Sequence, residues 1–174
     1  MTSISLDFFY PLRYNRRMQL TPFNENDFNH LQNFMQPLWE ETYASILPKA
    51  QIAFLVHKYF SQEGIAYFRA LGYQYRKIDD IGVVIFVDKD SHIFMDKLYL
   101  LPQARGKNYP AFVFSYLASF GKDVMLNVNQ KNERALKCYL KNGFVIEEKK
   151  DVDFGDGMVN HDYVMRRKVS PANP

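Results

Sequence analysis

The apolar positions of this chain switch between two periods, and the switches mark its elements. Residues 18–23 read as a strand. Asn24 with Asp27 three residues on is a variant capping box that opens a helix. Phe28, Leu31, Phe34, Met35 and Leu38 give that helix an apolar stripe at helical spacing, which reads as core packing. Residues 39–43 break the pattern. Pro48 starts a second helix that runs to about residue 60, and a short third helix over 61–71 stops at Gly72. Residues 73–78 and 82–87 read as strands joined through Asp79 and Asp80, and 88–91 as a polar turn. A strand at 92–101 then leads through a basic loop into a helix at 110–120, closed by Gly121. Residues 123–128 are a fifth strand and 132–143 a further helix. Strands at 144–154 and 158–168 flank Gly155-Asp156-Gly157, a hairpin signal.

This order predicts one mixed α/β unit over residues 18–168, with no repeat and no dividing linker. Residues 1–17 contain Phe8-Phe9-Tyr10-Pro11 followed by Arg13, Arg16 and Arg17. They read equally as an extra edge segment, a partner-binding arm or a leader. Residues 169–174 read as a flexible tail.

Composition narrows the classes. A chain of 174 residues can bury a substantial core without staples. Its 12 Tyr and 15 Phe point to a core and cleft built from rings. A formal charge of +3, from 22 basic and 19 acidic side chains, is too balanced to argue for nucleic acid. Cys138 is the lone cysteine, which excludes an intramolecular disulfide and fits a reducing cytoplasm. No apolar run reaches the length of a membrane span, and Asp7 and Pro11 interrupt the N-terminal apolar stretch, unlike a secretory signal. The histidines show no metal-ligand spacing. The expectation is therefore a cytoplasmic protein with no metal, no membrane and no nucleic acid; a homodimer is left open.

Two segments carry chemistry. In Asn132-Glu-Arg-Ala135-Leu-Lys-Cys-Tyr139-Leu-Lys-Asn-Gly143-Phe144, Ala135 and Tyr139 share one helix face, and Gly143 stands where the chain must turn left-handed to leave the helix. Upstream, Gln103-Ala104-Arg105-Gly106-Lys107-Asn108-Tyr109-Pro110-Ala111 joins a strand to a helix start. A helix N-terminus offers unpaired N–H groups and a positive dipole end, which suit a diphosphate. Gly106 lets the backbone come close, and Arg105 and Lys107 add charge.

The first segment resembles the acyl-CoA signature of the GNAT family of N-acetyltransferases, Asn-x-x-Ala-x-x-x-Tyr-x-x-x-Gly-Phe, at every fixed position. The second resembles that family's pyrophosphate-binding turn, with Gln103, Gly106 and Asn108 at its marked positions. It departs at Asn108, where the family usually has Gly or Ala, and at Pro110, where a small residue is common. Asn tolerates a left-handed backbone, so the turn can form, whereas Pro110 removes one N–H donor. The resemblance spans nearly all of 18–168. It implies an α+β acyltransferase fold, a mostly antiparallel mixed sheet of about seven strands flanked by helices. The strands at 92–101 and 123–128 would run parallel and splay. Acetyl-CoA would be the cosubstrate, bound less tightly than by a consensus loop.

The implied roles are specific. The backbone of Leu98, Tyr99 and Leu100 would hold the pantetheine arm as an added strand and stabilise the developing oxyanion. Tyr139 would protonate the departing thiolate; the alternative is an amphipathic core tyrosine. Asn132 would bond the pantetheine, cap its helix, or both. The base stays open. His92, Asp96 and Leu98 share strand parity, so their side chains would face one way, and His92 and Asp96 match positions where family members carry a base, while others use a water chain. Structural roles compete for both residues. Trp39, Glu40, Glu41 and Tyr43 follow the first helix stripe, a segment that often lines the family's acceptor pocket. There they would receive a cationic amine, or form a solvated helix end. The implied activity is acetyl transfer to a small amine, with a protein or peptide acceptor and a non-catalytic CoA-binding module as alternatives. Cys138 reads as a buried, inert thiol.

Overall fold

The structure is a computed structural model that describes residues 18–169. The segments read from sequence as an N-terminal arm (1–17) and most of the tail (170–174) lie outside the described residues. The elements follow in the order β1 (Leu20–Pro22), α1 (Glu25–Tyr43), α2 (Lys49–Phe60), α3 (Gln62–Ala70), β2 (Gln74–Ile78), β3 (Gly82–Asp88), β4 (His92–Leu100), α4 (Tyr109–Ala118), β5 (Asp123–Asn129), α5 (Glu133–Lys141), β6 (Val145–Asp153) and β7 (Val159–Arg167), with a 3-10 turn at Pro102–Ala104. The strands form one sheet in the order β1-β2-β3-β4-β5-β7-β6. Every neighbouring pair is antiparallel except β4 with β5, which is parallel. The expected seven-stranded mixed sheet is present.

Two cores cover the two faces. Residues of α1, α2 and α3, such as Met35, Leu55 and Ile65, pack with Tyr75, Val83 and Ile85. Residues of α4 and α5, such as Phe114 and Tyr139, pack with Val84, Phe86 and Leu126 on the other face. Val83, Val84, Ile85 and Phe86 are all buried, as a strand covered on both faces requires. The edge strand β6 is exposed along almost its whole length, and its charges, Glu147 to Asp151, discourage pairing with a second sheet.

The capping box at α1 forms as read: Asn24 Oδ1 accepts from the Asp27 amide at 3.0 Å and Asp27 Oδ2 from the Asn24 amide at 2.9 Å. The expected break at 39–43 does not occur. The helix continues through Pro37 to Tyr43. Leu38 and Trp39 are both buried and continue the face begun by Leu31 and Met35, so packing outweighs the hydrogen bond that Pro37 cannot donate. Among the described residues no helix is long and apolar enough to cross a membrane, and no group of three or more His, Cys, Asp or Glu could hold a metal ion.

Candidate active site between the splayed strands

β4 and β5 are registered only at His92↔Asp123, Ile93↔Val124 and Phe94↔Met125. Beyond Phe94 the two strands part. A cavity of about 640 Å³ opens in the wedge, lined by Leu98, Tyr99 and Leu100 on one strand and Asn127, Val128 and Asn129 on the other.

A β-bulge decides which side chains enter it. Phe86 pairs with Met95 and Ile85 with Lys97, so Asp96 is the extra residue. Side-chain parity reverses there. Ile93 and Met95 lie in the α4–α5 core, and beyond the bulge it is Leu98 and Leu100 that pack on that side. Lys97 and Tyr99 turn to the α1–α3 face. The expectation that His92, Asp96 and Leu98 face one way is therefore corrected. Asp96 lines the cavity, but His92 does not. His92 sits at the closed end of the strand pair, its Nδ1 3.0 Å from Ser91 Oγ. Burial, with Arg166 adding to it, pushes its pKa below the usual value.

On the α4–α5 side, the loop turns at Gly106 and leads into α4, which starts at Tyr109 rather than at Pro110. Gly106 has φ +73°, a left-handed conformation that disfavours a side chain, and a Cβ there would meet nothing within 4 Å. Asn108 is not left-handed; its φ is −78°, so its tolerance of such a backbone is not called on. Arg105, Gly106 and Pro110 line the cavity. Gln103, Lys107 and Asn108 are exposed, Ala111 is half-buried, and Ala104 and Tyr109 are core residues, so only their backbone is on offer. Tyr139 packs against Phe114 and Phe144 and lines the cavity; burial pushes its hydroxyl well above the usual pKa, so it stays protonated at neutral pH. Asn132 lines the cavity and also caps α5, accepting from the Ala135 amide at 3.2 Å. Cys138 lines the cavity too, only half-buried, and burial raises its pKa.

The α1–α3 side departs more from expectation. Glu40 is exposed and bonded to Gln36 at 3.1 Å, away from the cavity lining. Glu41 binds Arg105 through two hydrogen bonds of 2.6 and 2.8 Å and lies 3.7 Å from Arg134. The Arg105 hydrogen bonds hold its carboxyl below the usual value. Neither carboxylate lines the cavity; Glu41 ties α1 to the loop through Arg105. Trp39 and Tyr43 do line the cavity, with Tyr43 Oη 3.1 Å from Tyr99 Oη. Trp39 Nε1 is buried with no acceptor among the described residues, at a cost of about 1–3 kcal/mol.

Sequence reading missed Asp162. It lies on β7 opposite Asn129 of β5 and Lys150 of β6, lines the cavity, and is 8% exposed. Burial raises its carboxyl to about 6, with Lys97 pulling the other way. Among the described residues its carboxylate has no ion-pair partner within salt-bridge distance, whereas Asp96 has Lys97 at 2.8 Å. The only sequence signal was β7 alternation, which sets 160, 162 and 164 against the 163 and 165 that face the α4–α5 core.

Known proteins are similar to this chain in fold and in part of its sequence. No family model matches it. It is 36% identical over 85 residues to an uncharacterized N-acetyltransferase of Mycobacterium tuberculosis, a match covering 46% of this chain and 54% of that protein. The chain thus spans about half the length of the curated relatives it matches. Among solved structures, the PaiA N-acetyltransferase of Thermoplasma acidophilum in complex with coenzyme A superposes with a TM-score of 0.67 at 20% identity, covering 87% of this chain and 99% of that one. The spermidine N-acetyltransferase of Vibrio cholerae in complex with CoA and spermine gives 0.59 at 17%, covering 87% and 95%. Naa50 of Arabidopsis thaliana in complex with the bisubstrate analogue CoA-Ac-MVNAL gives 0.55 at 15%, covering 87% and 98%. The fold is that of the GNAT acetyltransferases.

Proposed function

We propose that this protein, a chain with the GNAT fold, is an N-acetyltransferase that moves the acetyl group of acetyl-CoA onto a primary amine of a small molecule. The carrying observation is the wedge between β4 and β5. It joins the N-terminus of α4 on one face of the sheet to a buried carboxylate that has no ion-pair partner among the described residues on the other.

The residues present fit acetyl-CoA. Gly106 leaves open space where a Cβ would stand, next to the start of α4. Among the described residues, the edge of β4 that faces the wedge has no strand partner beyond Phe94, which suits strand-like addition of a pantetheine amide. Acetyl-CoA supplies the activated acyl thioester. Asp162, poised near neutrality, takes the proton that an ammonium must lose before it attacks. The backbone N–H groups of Leu98 and Leu100, which alternate away from β3, would serve as oxyanion donors. Tyr139 keeps its proton at neutral pH and is suited to pass it to the leaving thiolate.

Helices α1, α2 and α3 all contribute walls to the acceptor half of the cavity, which favours a small acceptor over an extended one. The test is twofold: a thermal shift with CoA and acetyl-CoA, since a ligand of the native state raises stability, and free-thiol release with a panel of amines. Stabilisation by acetyl-CoA together with amine-dependent thiol release is expected. Absence of the first would remove the cosubstrate site; absence of the second, with binding intact, would leave a CoA-binding module.

A further inference from the structure

The acceptor half of the cavity has its own charge pattern. On the α1–α3 face its charged lining residues are Lys58, Lys97 and Lys150 against Asp96 and Asp162. Asp96 is already engaged by Lys97 at 2.8 Å. One carboxylate, Asp162, is left for a substrate cation, among three lysines. Lys97 is 9% exposed and its ammonium stands 3.9 Å from the centroid of the Tyr59 ring. A buried ammonium with one carboxylate partner and a ring beneath it keeps donor capacity for a further acceptor. Lys150 pairs directly across from Asp162 in the β6–β7 ladder, so the two side chains rise from the same face of the sheet. Lys58 stands 5.5 Å from the Phe154 ring centroid.

From this arrangement we infer that the acceptor is an amino-acid-like zwitterion: a primary amine for Asp162, an anionic group for the lysines around it, and an aromatic or bulky apolar body. The inference rests on the acetyltransferase reading above and narrows its acceptor. The body is specified by the rings of Tyr59, Tyr67, Phe68, Tyr73 and Phe154, which line the same half. Tyr59 and Phe68 lie 5.3 Å apart and Phe68 and Tyr73 5.2 Å, leaving tilted and edge-on faces rather than a polar wall.

A polyamine meets this compartment badly. Each additional ammonium needs its own carboxylate, and among the described residues that line this half only Asp162 is unengaged. A second cation close to one of the lysines would be repelled by it. A carboxylate in the same place would be attracted instead. Glu41, held by Arg105, does not line the cavity and so offers a second ammonium no acid there.

The experiment uses matched acceptors with the full-length chain and acetyl-CoA: phenylalanine and tryptophan, their decarboxylated counterparts phenethylamine and tryptamine, and spermidine. Free-thiol release gives kcat/KM for each, and calorimetry follows acetyl-CoA binding separately. The amino acids are expected to exceed their decarboxylated counterparts at least tenfold, with spermidine below both. In Lys150→Met and Lys58→Met, kcat/KM for the amino acids should fall at least tenfold more than kcat/KM for the decarboxylated amines. A merely structural role for these exposed-edge and helix lysines would lower both alike. Preference for spermidine or for the decarboxylated amines, or an amino-acid preference that survives both substitutions, would overturn the inference while leaving the acetyltransferase standing. Acetyl-CoA binding without turnover of any amine would overturn both.

Discussion

The two halves of the cavity are built in different ways. The α4–α5 half draws on two short stretches of chain, the loop from Leu100 to Pro110 and the helix from Asn132 to Tyr139. The α1–α3 half is assembled from the end of α1, from α2 and α3, from one bulged stretch of β4 and from the β6–β7 hairpin. A diphosphate can be held by backbone N–H groups within a single turn, so one contiguous segment can encode its site. A small acceptor is enclosed by side chains, and those converge only when distant elements pack. On the proposed reading, ligand recognition is local on one side of the sheet and tertiary on the other.

Substitutions at Asp162 and Tyr139, one from each half, should both slow turnover and leave acetyl-CoA affinity intact. Asp162→Asn is expected to lower single-turnover acetyl transfer by about 10²–10⁴-fold, the usual contribution of a general base, with acetyl-CoA affinity unchanged. The same change should stabilise the fold near neutral pH. The native carboxyl is raised to about 6 from an ordinary 3.8, so the native state holds the proton more tightly than the unfolded chain. Stability therefore declines as pH rises from about 4 to about 6, by roughly 2–3 kcal/mol at most, and stays reduced above. Asn carries no such charge. Its Tm advantage should be present at pH 7 and absent at pH 3, by calorimetric melts. In the parent, kcat/KM should rise with pH through about 6 as Asp162 ionises, and that limb should vanish in the variant.

Tyr139→Phe is expected to keep acetyl-CoA affinity and to slow transfer by about 10²-fold. The ring contacts with Phe114 and Phe144 survive, and only the hydroxyl is lost. Single-turnover kinetics with separate calorimetry distinguishes this from a binding role; an unchanged rate in a regime limited by chemistry would remove Tyr139 from the reaction.

The smallest effect is expected at Glu41→Gln. Its partner Arg105 belongs to the loop, so loss of the carboxylate frees a guanidinium for the diphosphate. Acetyl-CoA should bind up to tenfold more tightly, and stability should change by about 0–1 kcal/mol, as for other exposed ion pairs. Weaker binding would show that Glu41 orders the loop rather than competing for it.

The division explains what could be read from the chain beforehand. Strand and helix order, the terminal hairpin and the helix that carries Tyr139 follow from local spacing, and the structure has them; the site roles of Gly106, Asn132 and Tyr139 rest on the motif resemblance. Three things did not follow. The length of α1 past Pro37 depends on what Leu38 and Trp39 pack against, which local pattern cannot supply. The bulge at Asp96 leaves no mark in residue type, yet it reverses the strand and delivers Lys97 to the acceptor side. Asp162 reads as one more polar residue in a hairpin until burial between Asn129 and Lys150 makes its charge costly. Conversely Glu40 and Glu41, which the resemblance set near the acceptor pocket, do not line the cavity: one is exposed and bonded to Gln36, the other is held by Arg105.

Calorimetric titration of acetyl-CoA into the parent, Gly106→Val and Asp162→Asn proteins bears most directly on this division. Valine at a position with φ +73° is strained and carries its side chain into the open space beside the start of α4. Gly106→Val should therefore lose measurable acetyl-CoA binding while folding cooperatively, and Asp162→Asn should bind with the parent's affinity. Parent-like affinity in Gly106→Val, or a large loss of affinity in Asp162→Asn, would contradict the assignment of cosubstrate and acceptor to opposite faces of the sheet.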